Sequence, residues 1–195
     1  MDPISQSVVG AALPQSLSKP HQLLAAGLIG ALAGMAPDLD IFIRSDTDPL
    51  LFLEFHRQFT HSLFFIPVGG IIIGLILFWL IGKRFALTIK QSLVFSTLGY
   101  ATHALLDACT TYGTQLLWPF SDDRIAWNVI SVIDPLFTLP TIFLLIVAAR
   151  RASPVWARLA LAWALVYLTI GIIQRDRAIE IGHRVATERV FVPPH

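Results

Sequence analysis

Residues 63–82 read LFFIPVGGIIIGLILFWLIG, and no charge interrupts the chain from Ser62 to Gly82. A helix that crosses the hydrocarbon core of a bilayer needs about 20 predominantly apolar residues, and this stretch meets that length. Composition agrees. Of the 195 residues 55% are hydrophobic and 14% charged, whereas soluble domains carry about 25% charged residues. Mean hydropathy is +0.68. The expected fold class is all-α, a polytopic membrane helical bundle, because backbone polar groups in lipid must be satisfied within each segment.

Further apolar segments are Ser92–Ala108, Leu136–Ala149 and Val155–Ile173. His21–Ala36 is shorter, and the amphiphilic Ile4–Leu17 before it suits a re-entrant or interfacial helix. Together they give four to five membrane-spanning helices. Residues 1–180 read as one membrane-embedded domain and 181–195 as a polar C-terminal tail. A small-residue A-x-A at Ala31–Ala33 would admit signal cleavage, but the first basic residue is Lys19, so an uncleaved helix is expected. The single Cys109 excludes an intramolecular disulfide and any multi-cysteine zinc site. A net charge of +1 without a basic stripe gives no reason to expect nucleic-acid contact.

The distribution of basic residues orients the bundle. Lys83, Arg84 and Lys90 follow the first clear span, and Arg150, Arg151 and Arg158 join the third to the fourth. The positive-inside rule places both connections in the cytoplasm. The connections 37–61 and 109–133 then face the other side. Asp38, Asp40, His56, His61, His103, Asp107 and Asp134 all fall at that outer end.

His103 and Asp107, in HALLD, are four apart and share one helix face, about 5–6 Å apart at Cβ. A carboxylate within a span costs about 2.5–3.5 kcal/mol to insert, which marks it as functional; the alternative is a helix-packing hydrogen bond between His103 and a neighbouring carbonyl. In PDLD (37–40), Pro37 is expected to push Ala36 out of the helical region, ending the helix in a turn from which Asp38 and Asp40 both point inward. The alternative is a solvated acidic turn. Asp46 and Asp48, in RSDTDP, read as solvated. His56 and His61 are five apart, about 140° around a helix, so both reach one site only through a bend near Phe59–Thr60. Arg57 between them suits an anionic oxygen, or else snorkels at the interface. In TTYGTQLLWPFSDDRIAW (110–127), Thr110, Thr111, Gly113 and Thr114 are candidate substrate-binding residues. Trp118 and Trp127 read as an interfacial belt, and Arg124 as a partner of Asp122 or Asp123. His183 and His195 carry no role.

With PDLD, HRQFTHS (56–62), HALLD and TTYGTQLLWPF in place, the chain resembles the bacterial inner-membrane-associated metal-dependent hydrolases, a family that includes a LexA-regulated membrane protein. The opening MDPISQSVVGAAL fits the family's start, and the likeness covers roughly residues 1–180. The resemblance implies a multi-helix membrane protein with a hydrolytic metal centre. Its pattern falls on Asp38 and Asp40, on His56, Arg57 and His61, and on His103 and Asp107. Many relatives have histidine where this chain has Gln6. The order of ligands is also similar, more weakly, to zinc-dependent phospholipase C, an analogy of pattern only.

The function expected is that of an inner-membrane metal-dependent hydrolase. One or two divalent ions, zinc first with manganese or iron as alternatives, would be held by Asp38, Asp40, His56, His61, His103 and Asp107. Arg57 would bind the substrate's anionic group, and Asp40 or Asp134 would act as general base or orienting carboxylate. A centre facing the periplasmic side favours lipids or other membrane-associated phosphoesters. The alternative is a non-catalytic metal-binding or regulatory membrane protein. No H-E-x-x-H supports a zincin-type protease, the P-S-G-H and preceding Ser-Arg of a phosphohistidine lipid phosphatase are not present, and a transporter would want an inner gate and the repeat symmetry this chain lacks.

Overall fold

In a computed structural model, residues 1–43 and 56–190 are described; Asp46, Asp48 and His195 lie outside them. Six α-helices occur among the described residues: α1 (Pro3–Leu17), α2 (Leu23–Met35), α3 (Ile66–Leu80), α4 (Ile89–Ala108), α5 (Pro135–Arg150) and α6 (Pro154–Val190). Two 3-10 segments, Ala36–Phe42 and Phe59–His61, carry much of the site. No strand is present among the described residues, only an isolated bridge between Thr114 and Ile125.

Helix α1 stands at the centre, packed against α2, α4, α5 and α6. Asp2 caps its start, accepting from the amides of Ile4 and Ser5 at 3.0 Å each, with Pro3 in the first turn. Its residues Gly10, Ala11 and Ala12 are buried by its neighbours, so an apparently amphiphilic segment is wrapped on several sides. Glycines set how closely the axes approach. A Cβ on Gly99 of α4 would lie 2.4 Å from the carbonyl oxygen of Gly30 in α2, and one on Gly10 of α1 would lie 2.6 Å from the same atom. Only small residues allow backbones to touch in this way.

The surface is inverted relative to a water-soluble bundle. Ser92, Ser96, Thr138 and Thr141 are buried, whereas Ile71, Ile72, Trp79, Leu139, Phe143, Leu165 and Ile170 are exposed. Such a belt of large apolar side chains calls for a lipid solvent. Two helical segments, Pro20–Phe42 and Pro154–Thr187, are long and apolar enough to span; Ile66–Leu80 and Pro135–Arg150 are apolar but shorter.

Several expectations change. The run Ser62–Gly82 is α-helical only from Ile66 to Leu80, because the backbone before it turns to present His61 and a 3-10 turn, Gly82–Phe85, follows it. Fifteen residues rise only about 22 Å. Ala36 stays in the right-handed helical region despite Pro37; the helix tightens to 3-10 there instead of stopping. The fourth segment does not end near Ile173, since α6 continues without a break to Val190.

Candidate metal centre

Three separate pieces of chain meet at one end of the bundle. The 3-10 turn after α2 brings Asp38 and Asp40, the turn before α3 brings His56, Arg57 and His61, and the last turns of α4 bring His103 and Asp107. Lys83 and Arg84 lie beyond the opposite end of α3. His61, His103 and Asp107 are fully buried, and the Asp38 side chain is 25% exposed.

Proton positions on the two imidazoles follow from their partners. His103 Nδ1 is 2.6 Å from the carbonyl oxygen of Gly34 and must donate to it. The Thr60 hydroxyl donates to Asp40 Oδ2 at 2.9 Å, so its oxygen accepts from His61 Nδ1, also at 2.9 Å. In the neutral rings both Nε2 lone pairs are therefore turned inward, and they face each other at 2.9 Å. Burial above all, with the neighbouring His103, pushes the His61 pKa down to about 4, which keeps that ring neutral at pH 7.

Two carboxylate oxygens complete the group. Asp38 Oδ1 lies 3.4 Å from both Nε2 atoms, and Asp107 Oδ2 lies 3.5 and 3.7 Å from them. Donors about 2.0–2.1 Å from a tetrahedral zinc stand about 3.3 Å from one another, so this set has the size and chemistry of a divalent-ion site. Asp107 Oδ2 is buried without a hydrogen-bond partner among the described residues. Gln6 Nε2 takes the other oxygen of Asp107 at 2.8 Å, joined by the amino group of Met1. The residues fit the ion. Asp38, Asp40 and His56 form a second group whose donors also lie within 4.8 Å of one another.

Arg57 is buried beside this centre, its Nε 3.3 Å from Asp107 Oδ2 and its guanidinium 5.3 Å from the ring centre of Tyr112. The remaining expected residues fall elsewhere. Asp134 caps α5, accepting from the amides of Leu136 and Phe137 at 3.1 Å and from the Tyr167 hydroxyl at 2.8 Å. The Thr110 hydroxyl is bound to the Asp107 carbonyl and that of Thr114 to the Arg57 carbonyl. Gly113, at φ +67°, lets the loop turn against Ile125, and Thr111 is exposed on a cavity beside α6. Arg124 donates to the His56 carbonyl. Burial raises the Cys109 thiol pKa to about 11, aided by Asp107, as befits a packing residue. Sequence reasoning missed Gly34, whose contribution is a backbone carbonyl, and Tyr112, which no spacing rule singles out.

The profile of the YdjM inner membrane protein family matches residues 1–178. The chain belongs to this family. Among relatives of the YdjM-type chain, YfhP of Bacillus subtilis (strain 168) is 28% identical over 167 residues, covering 85% of this chain and 50% of YfhP. The inner membrane protein YbcI of Escherichia coli (strain K12) is 35% identical over 120 residues, covering 58% of this chain and 64% of YbcI. The YdjM-type chain thus spans half to two thirds of the length of these relatives. No solved structure matches it. Family and relative together make this an inner membrane protein.

Proposed function

We propose that the protein is a multi-pass, metal-dependent hydrolase of the inner membrane, its centre facing the periplasmic side and its substrate a membrane-associated phosphoester such as a phospholipid. One observation carries the reading: two buried imidazoles, each tied outward through Nδ1, turn their Nε2 lone pairs onto each other and onto two carboxylate oxygens. Lone pairs so placed repel unless a cation joins them. Asp38, His61, His103 and Asp107 would hold a first ion, zinc before manganese or iron, and Asp38, Asp40 and His56 are the candidates for a second. A bound divalent ion supplies Lewis acidity, which activates water and polarises a phosphoryl oxygen.

The rest of the work falls to the chain. Arg57 would bind the substrate's anionic oxygen, and the Gly34 carbonyl and Thr60 fix the two imidazoles by the bonds behind them. Asp38, the one partly exposed donor of the first group, is the side from which substrate would approach. The shorter helices α3 and α5 would serve as further spans, giving four to five in all, and the basic turns away from the centre support the periplasmic orientation.

A second reading, a non-catalytic metal-binding protein, is favoured by the four protein donors, since a closed four-ligand shell is the mark of a structural zinc site. Elemental analysis and hydrolysis of bis-(p-nitrophenyl) phosphate on one purified sample separate the two. The hydrolase reading expects bound divalent ion, hydrolysis stopped by chelator and restored by zinc, and loss of both ion and hydrolysis in His103→Ala. Ion without hydrolysis of this ester or of phospholipids would leave the second reading standing, and no ion under metal-replete conditions would sink both.

A further inference from the structure

The carboxylate of Asp40 already accepts three hydrogen bonds. Its Oδ1 accepts from His56 Nδ1 at 2.8 Å, and its Oδ2 accepts from the Arg57 amide at 3.0 Å and the Thr60 hydroxyl at 2.9 Å. His61 Nδ1 lies 3.4 Å from Oδ2 as well. A carboxylate bound in this way holds its neighbours in place and has little left to give a cation. Asp38 and Asp107 differ, since each turns an oxygen onto the imidazole pair.

What Asp40 holds is unusual. Arg57 has φ +65°, in the left-handed region that disfavours side chains by roughly 1–2 kcal/mol. Both its peptide groups are pinned: the amide by Asp40, the carbonyl by the Gln115 amide at 3.2 Å and the Thr114 hydroxyl at 3.3 Å. The imposed turn drives the guanidinium inward. Its side chain is only 10% exposed, yet Nη1 has no hydrogen-bond partner among the described residues and Nε has only the ion-pair approach to Asp107. The Asp107 carboxylate already lies between the guanidinium and the ion site, and Nη1 is left as a buried donor that an anionic oxygen would satisfy.

We propose that Asp40 is a positioning residue and not a metal ligand: by fixing Arg57 in its left-handed turn it builds a phosphate-type oxyanion subsite against a single-ion centre. This rests on the first ion of the metal reading above and deepens it, in place of the second ion for which Asp38, Asp40 and His56 were the candidates. The centre holds one ion, through Asp38, His61, His103 and Asp107, and His56 belongs to the Asp40 network. The oxyanion is a tetrahedral phosphate oxygen set, from a lipid headgroup or from free phosphate.

The test uses the full chain in phosphatidylcholine nanodiscs, with zinc counted by elemental analysis and inorganic phosphate binding followed by calorimetry on the zinc-loaded protein. Wild type is expected to hold one zinc, retained in Asp40→Asn and His56→Gln and lost in His103→Ala. Phosphate affinity should fall roughly 10- to 100-fold in Arg57→Gln and by a similar factor in Asp40→Asn. The double variant should be no weaker than Arg57→Gln alone, because the two residues act as one unit. If phosphatidic acid in the nanodisc displaces free phosphate, the subsite takes a lipid headgroup; if it does not, soluble phosphate is the ligand, and either result upholds the subsite. Two zinc ions falling to one in Asp40→Asn or His56→Gln would overturn the proposal, as would additive losses in the double variant. Those results leave the metal reading intact, whereas a zinc-free wild type removes both. Should Asp40→Asn fail to fold, His56→Gln decides the ion count. Thr114→Val, which removes one of the two bonds to the Arg57 carbonyl, then replaces it in the phosphate cycle.

Discussion

At the residue scale the centre works by neutrality. His61 is held uncharged in the folded chain, its pKa lowered from 6.5 to about 4 by burial and then by His103. In the metal-free protein the unfolded state therefore binds more protons between those values, so stability from this group is fully present above about pH 6.5 and is lost as pH falls through about 4. Thermal unfolding of chelator-treated protein should show a midpoint that is steady from pH 8 to 7 and drops progressively toward pH 4.5. A midpoint that rises on acidification would mean that the imidazole is stabilised in its charged form. Asp134 makes a contrasting case. It was a candidate base in the sequence, yet its oxygens cap α5 and meet Tyr167. Asp134→Ala should lower stability by about 1 kcal/mol while leaving the ion count unchanged, a pairing that elemental analysis and a melting curve read together.

At the scale of the helix, contacts depend on what is absent from the side chains. Gly99 and Gly30 bring α4 and α2 so close that an added methyl would meet a carbonyl oxygen at 2.4 Å. Gly99→Ala should cost about 1–3 kcal/mol, as overpacking does, and Gly99→Leu should prevent a monodisperse folded protein, as judged by size-exclusion profile and helical signal after extraction. How far such features could be read in advance varies. The i, i+4 spacing of His103 and Asp107 put both on one face, as an α-helix must, and the need for a bend between His56 and His61 followed from their spacing of five. The pairing of Thr60 with His61, the carbonyl of Gly34 and the left-handed turn at Arg57 were not legible, because each is a property of backbone direction after distant segments have met. The length of the α-helix within Ser62–Gly82 was misread for a related reason: hydropathy records which residues tolerate lipid, not where the chain leaves the helix to present a ligand.

Over the whole molecule, polarity is turned inside out, with serine, threonine and the His/Asp group within and isoleucine, leucine and phenylalanine without. The all-α class could be inferred from hydropathy and charge, and of the four ionisable segments expected to converge at one end three do, while Asp134 caps α5; the central place of α1 could not be inferred, since its modest apolarity resembles that of a surface helix. If basic turns mark the cytoplasmic side, a membrane-impermeant thiol reagent added outside should label a cysteine placed at Asp122 and spare one at Arg84, in a Cys109→Ser background. The reverse pattern would put the centre in the cytoplasm. The glycine contacts have one more consequence. His103 is oriented by a carbonyl of α2, and that carbonyl is in position only once α2 and α4 lie backbone to backbone. A cation taken up by this group would therefore enter late in biogenesis, into a bundle that has already assembled. Stripping the ion should leave helix packing in place and be reversible, unlike the collapse that follows when a zinc finger loses its metal.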